Sequence, residues 1–443
     1  MYIVGNGRVI TQDDKNPYIE NGAVVIKEDE IIEVGNFSDL RKKYSGAEII
    51  DADDGIIMPG LINTHMHIYS SFARGMDIKG STRNFDEILK NLWWKVDKSL
   101  SLDDIEYSAY ATYMESIKNG VTTVIDHHAS PMAITGSLER IAKVADYLGI
   151  RTSLCYEVSD RDGIEKAEEG IRENIEFIKY ADRKNSDMIK GMFGIHASFT
   201  VSNETLEKCK KAMENIDVGY HIHVAEGITD LNDAQEKYGK RVVERLNEYG
   251  IFKENTIAVH CIHINDYELD ILKNSGCNVI HNPESNMGNA VGCSPAIKML
   301  EEGLIVGLGT DGYTADMIES LKVANILHKH ELKDPTVGWK EAPLMLFRNN
   351  REIIKKQFGC NTGILKKGAK ADIAIFDYIP HTELNENNYN SHIIFGISGR
   401  GATTTICNGK ILMKKRKLIN VDEKSILEKA RTISKQMWKS VEK

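Results

Sequence analysis

The chain has 443 residues, 42% of them hydrophobic and 27% charged, which is the make-up of a globular protein too long for one ordinary core. A net charge of −9 lacks the basic field of polyanion binders, so nucleic acid is not an expected partner. No apolar run reaches the length of a membrane span, and the first ten residues do not form a signal peptide, so the expected setting is the cytoplasm.

Residues 1–56 read as a small β layer. The run Tyr2-Ile3-Val4 ends in the turn Gly5-Asn6-Gly7, and residues 23–26 and 31–34 are β-rich around a polar turn. From residue 57 short apolar runs alternate with longer amphipathic stretches. The runs lie at 56–62, 122–125, 150–156, 192–196, 218–223, 257–260, 279–281 and 305–308. The helical stretches lie at 103–119, 138–148, 164–180, 203–215, 233–249 and 265–274, several ending at or near glycine. Eight strands alternating with helices predict a (β/α)8 TIM-type barrel over 57–361. A doubly wound open sheet competes, but no G-x-G-x-x-G follows the first strand. Past residue 362 β character returns, with strands around Asn408-Gly409 forming a hairpin signal. Segments 1–56 and 362–420 are expected to combine into one small β-sandwich domain, followed by a lysine-rich surface helix over 421–443. Seven scattered cysteines without a C-x-x-C pair fit a reducing compartment.

The chemistry starts at Pro59-Gly60-Leu61-Ile62-Asn63-Thr64-His65-Met66-His67. On an extended chain residues i and i+2 share a face, so His65 and His67 reach one point together, half of a metal site. Ten of the 14 histidines fall between His65 and His281, mostly at predicted strand ends, where a barrel of this type carries its active site. In His221-Ile222-His223-Val224-Ala225-Glu226, His223 is expected as the third ligand and His221 as a core histidine one layer deeper. Glu226, just past the strand, is placed to move a proton between water and a leaving group. Asp311, in Gly307-Leu308-Gly309-Thr310-Asp311-Gly312, is the fourth expected ligand, although alone it reads equally as a helix N-cap. His260 is expected to hydrogen-bond the attacking water or the developing oxyanion. His196, His127 and His128 are candidates for recognising a carbonyl-rich or anionic ring. Arg74 could clamp a carboxylate, with a surface ion pair as the competing reading. Trp93-Trp94 reads as a lid or as helix packing.

These segments, together with Asn119-Gly120-Val121-Thr122-Thr123, Ala258-Val259-His260-Cys261 and His281-Asn282-Pro283-Glu284-Ser285-Asn286, resemble the amidohydrolase superfamily over nearly the whole chain. The branch it looks most like holds the cytosine, guanine and methylthioadenosine deaminases and the triazine chlorohydrolases. Within it, Ser71-Phe72-Ala73-Arg74-Gly75-Met76 and Leu92-Trp93-Trp94 resemble the SsnA-like aminohydrolases, which are associated with selenium-dependent molybdenum hydroxylases and purine breakdown. The resemblance implies one divalent ion, Zn²⁺ first and Fe²⁺ second, held by His65, His67, His223 and Asp311. It implies catalytic roles for Glu226 and His260, substrate contacts near His196 and Asn286, and a homodimer. The fourth strand ends Gly194-Ile195-His196-Ala197 without the bridging lysine of binuclear members, which favours one metal. The expected reaction is deamination of a purine- or pyrimidine-like heterocycle by attack of metal-bound hydroxide. The competing expectations are a ring-opening cyclic amidohydrolase of purine degradation and a catalytically silent metal-binding partner of a hydroxylase complex.

Overall fold

The computed structural model describes residues 1–441. The N-terminal segment forms β1 (Tyr2–Ile10), β2 (Tyr18–Lys27), β3 (Glu30–Asn36), β4 (Glu48–Asp51) and β5 (Ile56–Pro59). The middle of the chain supplies β6 (Leu61–Met66), β7 (Val121–His128), β8 (Arg151–Tyr156), β9 (Ile189–Gly191), β10 (Phe193–Ala197), β11 (Tyr220–Val224), β12 (Ile257–His260), β13 (Asn278–His281) and β14 (Ile305–Leu308). The C-terminal segment adds β15 (Ile373–Phe376), β16 (Thr404–Cys407), β17 (Lys410–Lys414) and β18 (Lys417–Leu418).

The two terminal segments pair into one nine-stranded sheet, ordered β18-β17-β16-β15-β5-β1-β2-β3 with β4 beside β1. The join is antiparallel between β5 and β15, with Ile57 opposite Ile375. The two-layer sandwich expected from sequence is therefore a single sheet by its pairing. Strand alternation explains its two apolar faces. Val4, Val24 and Ile26 share a core with Ile57, Ile373, Ile375 and Ile406, so the sheet curls around them. On the opposite face Ile3, Ala23 and Val25 pack under Leu40 of the helix Phe37–Lys43.

The central strands are all parallel and form two sheets, β6-β7-β8-β9 and β10-β11-β12-β13-β14. Their edges meet at two isolated bridges, Met66 with Asp311 and Val158 with Ile195. Every residue of β7, β8 and β10 to β13 is buried, as expected of parallel strands with both faces covered.

Three boundaries differ from the sequence reading. The run at 56–62 serves two sheets, breaking at Gly60, where a Cβ would lie 2.3 Å from the Thr122 hydroxyl oxygen. The fourth predicted strand, 192–196, is β10, and a short strand that the reading did not include, β9, precedes Met192 and pairs in the other parallel sheet. The predicted helix over 233–249 is two helices, Ile228–Tyr238 and Val242–Glu248. The last helix runs Glu423–Val441; residues 442–443 of the predicted 421–443 lie outside the described residues.

A buried ion pair ties the two layers together. Arg151, opening β8, meets the carboxylate of Asp372, which precedes β15, and both side chains are fully buried. Asp372 also accepts from the Thr362 hydroxyl and from the Asn408 backbone N–H at 2.6 Å.

Candidate metal centre and active site

The C-terminal ends of the parallel strands bring the histidines together. The His65 and His67 rings stand 5.0 Å apart, as their i, i+2 spacing requires. Their backbone hydrogen bonds fix which nitrogen faces inward. Nδ1 of His67 lies 2.6 Å from the carbonyl of His127, and Nδ1 of His223 lies 3.0 Å from the carbonyl of His196. A carbonyl only accepts, so both Nδ1 atoms carry the proton, and in the neutral rings both Nε2 atoms present lone pairs. Those two Nε2 atoms are 3.2 Å apart. His65 Nδ1 is bound to His221 Nε2 at 2.8 Å, leaving its own Nε2 buried without a hydrogen-bond partner among the described residues.

Asp311 closes this group. Its Oδ1 is 3.2 Å from His67 Nε2 and 3.8 Å from His65 Nε2. The loop after β14 is stitched to β6, since the Thr310 and Asp311 N–H groups both donate to the His65 carbonyl at 3.0 Å. Asn63 fixes the Thr310 hydroxyl at 2.7 Å. Gly309 permits this approach: a Cβ there would lie 2.5 Å from Asn282 Oδ1 and 2.8 Å from the His65 carbonyl oxygen. Asp311 itself sits at φ +55°, a left-handed conformation that aspartate tolerates better than most side chains.

Two imidazole lone pairs at 3.2 Å, an unpartnered third imidazole nitrogen and a carboxylate suit a divalent cation such as zinc. The electrostatics agree. Burial would raise the Asp311 carboxyl, but the His65 and His67 rings beside it hold it well below the ordinary range. Burial would lower His67, yet Asp311 and Glu157 push it up to about 9, so these carboxylates favour a positive charge at Nε2, a proton that a bound cation would displace. The site collects positive charge.

Glu226 and His260 flank this cluster. His260 Nε2 is 3.5 Å from Glu226 Oε2 and 3.6 Å from Asp311 Oδ2. His260 Nδ1 is held by Asn286 Oδ1 at 2.8 Å. Ala225 and His260 adopt φ +47° and +71°, strained for non-glycine residues, at the ends of β11 and β12. Burial, then the charge of Asp311, raise the Glu226 carboxyl well above its usual range. Ser285 donates to Asp311 Oδ2 at 2.6 Å and is itself held by Asn289 at 3.2 Å.

His67, His223, Glu226, Ser285 and Asp311 open onto one cleft. Tyr69, Phe85, Trp93 and Trp94 supply aromatic walls, and His196 and Glu157 a polar one. The cleft thus receives His196, whereas three other expected substrate contacts lie elsewhere. Asn286 spends its carbonyl on His260. His128 is buried beside Tyr69 and Tyr156 with its Nε2 on Ser130 at 2.9 Å. Arg74 is exposed and forks onto Glu115 at 3.0 and 3.2 Å, the surface pair that a long loop allows.

Sequence reasoning missed Glu157, which stands 3.4 Å from His67 Nδ1, 3.2 Å from His127 Nδ1 and 3.8 Å from His196 Nε2. The three histidines hold it low against the burial that would raise it. Its signal was a lone carboxylate straight after the apolar run Leu154-Cys155-Tyr156, at a strand end. Ser285, Asp97 and Arg161 were also missed, the last two because they stand outside any strand.

A model of the amidohydrolase family matches residues 56–412. A 5'-deoxyadenosine deaminase of Methanosarcina mazei is 33% identical over 439 residues, 98% of each chain. A 5-methylthioadenosine/S-adenosylhomocysteine deaminase of Thermococcus sibiricus is 33% identical over 408 residues, covering 90% of this chain and 93% of that one. Among solved structures, a zinc-bound adenosine deaminase from Xanthomonas campestris superposes with a TM-score of 0.87 at 22% identity, covering 98% of both chains.

Proposed function

This chain belongs to the amidohydrolase family, and on that premise we propose that it is a metal-dependent aminohydrolase that removes an exocyclic amine from a purine-like nitrogen heterocycle. The observation that carries this reading is the facing pair of His67 and His223 lone pairs, 3.2 Å apart, beside the Asp311 carboxylate and within reach of Glu226 and His260. The names of the relatives that align along nearly the whole chain support an adenosine-type substrate. The cleft combines aromatic walls with a few convergent polar groups, as small-molecule sites do. The two bridges between the parallel sheets support a single eight-stranded barrel, with β9 and β10 as two halves of its fourth strand.

His65, His67 and His223, through Nε2, and Asp311 would hold the ion, zinc in the first instance. Such an ion acidifies water from a pKa of about 15.7 to about 7. The other steps fall to side chains. Asp311 accepts from Ser285 through Oδ2, so its remaining lone pairs orient the attacking water. His260, fixed by Asn286, would hold the oxygen of the attacking water as it bonds to the ring carbon, while the electron pair moves to the ring nitrogen. Glu226 takes the water proton and delivers it to the departing nitrogen. The aromatic walls stack the ring and exclude bulk water.

The test is ammonia release by the purified, zinc-loaded protein from a panel of aminopurine nucleosides, aminopyrimidines and hydantoins. Ammonia with the ring retained is expected. Ring loss without ammonia would make it a cyclic amidohydrolase, and no turnover with full metal would leave a metal-binding protein.

A further inference from the structure

Nδ1 of His67 and Nδ1 of His223 each meet a backbone carbonyl, which only accepts. His65 has no such anchor. Its Nδ1 meets Nε2 of His221 at 2.8 Å, and an imidazole nitrogen can give or take that proton. The direction of this one bond decides what His65 offers a metal. If His65 donates, its Nε2 is a lone pair. If His221 donates, a neutral His65 carries its proton on Nε2, where no ion can then be held.

The far side of His221 fixes the direction. Its Nδ1 lies 3.6 Å from Cys155 Sγ, and that sulfur lies 3.5 Å from the Asp126 carbonyl oxygen. The thiol has one proton and two neighbours. The carbonyl can only accept it, whereas His221 Nδ1 can donate in its place. With S–H on the carbonyl, His221 Nδ1 donates to sulfur, His221 Nε2 is bare, and His65 Nδ1 donates to it. Every contact along the line is then a hydrogen bond. The reverse order sets the sulfur against the carbonyl oxygen with no proton between them. Burial, then the charges of Asp126 and Glu157, push the Cys155 thiol well above its ordinary range, so it keeps its proton. The side chains of His65, His221 and Cys155 are fully buried, so bulk water does not compete for these bonds. The His127 ring stacks on His221 with centres 4.4 Å apart and holds its plane.

We propose that His221 and Cys155 are positioning residues for the metal: a hydrogen-bond relay from His65 through His221 and Cys155 to the Asp126 carbonyl fixes the His65 tautomer with Nε2 bare. This assignment rests on the metal-dependent reading, because it takes His65 as a ligand through Nε2. The relay joins β6, β11, β8 and β7, so four strands set the proton of one ring.

Two readouts on the full chain test it. In zinc-free protein with isotope-labelled histidine, nuclear magnetic resonance shows which ring nitrogen of His65 is protonated, its signal being identified by loss in His65→Gln. A proton on Nδ1 is expected, and one on Nε2 would overturn the relay. The second readout is zinc affinity by chelator competition. His221→Phe keeps a ring against His127 and removes the acceptor, and Cys155→Val keeps the bulk and removes the thiol. Each is expected to weaken zinc by about 10–100-fold. Cys155→Ser still donates to the carbonyl and accepts from His221, so it is expected to bind zinc as the parent does and to keep the His65 tautomer. Parent-like affinity in Cys155→Val, or a loss in Cys155→Ser as large as in Cys155→Val, would each overturn the relay. If His221→Phe does not fold, the parent spectrum and the Cys155 pair still decide. Ammonia release is scored separately: full zinc and the stated tautomer without ammonia remove the aminohydrolase reading and leave the relay standing.

Discussion

At the scale of single residues, the account separates groups that hold the ion from groups that move protons. Glu226 stands 3.5 Å from His260 and groups with His260 and Asp311, and no ion pair joins it to His67 or His223 among the described residues. Glu226→Gln should therefore lower kcat by about 10²–10⁴-fold while zinc content, read by elemental analysis, stays near that of the parent. His223→Ala should lose both zinc and activity. The ligand candidates were legible because chemistry and spacing coincide: His-x-His on a strand, His223 and Glu226 on one strand end, and an aspartate among glycines. Glu157 was not legible, because a single acid after an apolar run carries no spacing signal, and its meaning appears only when three separate strand ends place His67, His127 and His196 around it. Arg74 shows the converse, an attractive residue type whose loop leads it to Glu115 on the surface.

At the scale of elements, close approach and buried charge give two predictions. Gly309 is where the β14 loop passes His65 and Asn282, so Gly309→Ala should push Asp311 away from the histidines. The expected result is a loss of about 1–3 kcal/mol of stability and weaker zinc binding, read by thermal melts and metal competition. The second concerns Glu284, on the helix Pro283–Gly288. Burial first, then Glu319 and Asp316 on and before the neighbouring helix Met317–Leu332, raise it to about 8. The folded protein thus holds a proton there that the unfolded chain gives up near the ordinary carboxylate value. Stability from this group is full below about pH 4 and falls as pH rises through about 8. Glu284→Gln should therefore match the parent's melting temperature at pH 5 and exceed it at pH 9, by the equivalent of about 1 kcal/mol or more. Element boundaries were the least legible feature. Apolar periodicity marks where strands are, but it cannot show that the run at 56–62 changes sheet at Gly60, or that the three residues before Met192 pair in the other parallel sheet, since both are set by distant partners.

At the scale of the whole molecule, the terminal sheet and the parallel strands depend on one another through Arg151 and Asp372. Asp372→Ala leaves a buried guanidinium uncompensated and should cost about 3–5 kcal/mol, seen as one early unfolding transition instead of loss of the terminal layer alone. The alternation of runs and helices made the α/β class readable, and the β-rich termini foretold a composite layer. That the layer is one curled sheet is set by the pairing of β5 with β15 across more than 300 residues, which local pattern does not encode. The claim on which function depends is that one cation sits among His65, His67, His223 and Asp311. Anomalous diffraction at the zinc edge from zinc-loaded crystals tests it most directly. A single peak about 2.0–2.2 Å from the three Nε2 atoms and from an Asp311 oxygen is the predicted result; a peak lying instead between His127 and Glu157, with His65 and Asp311 out of reach, would contradict it.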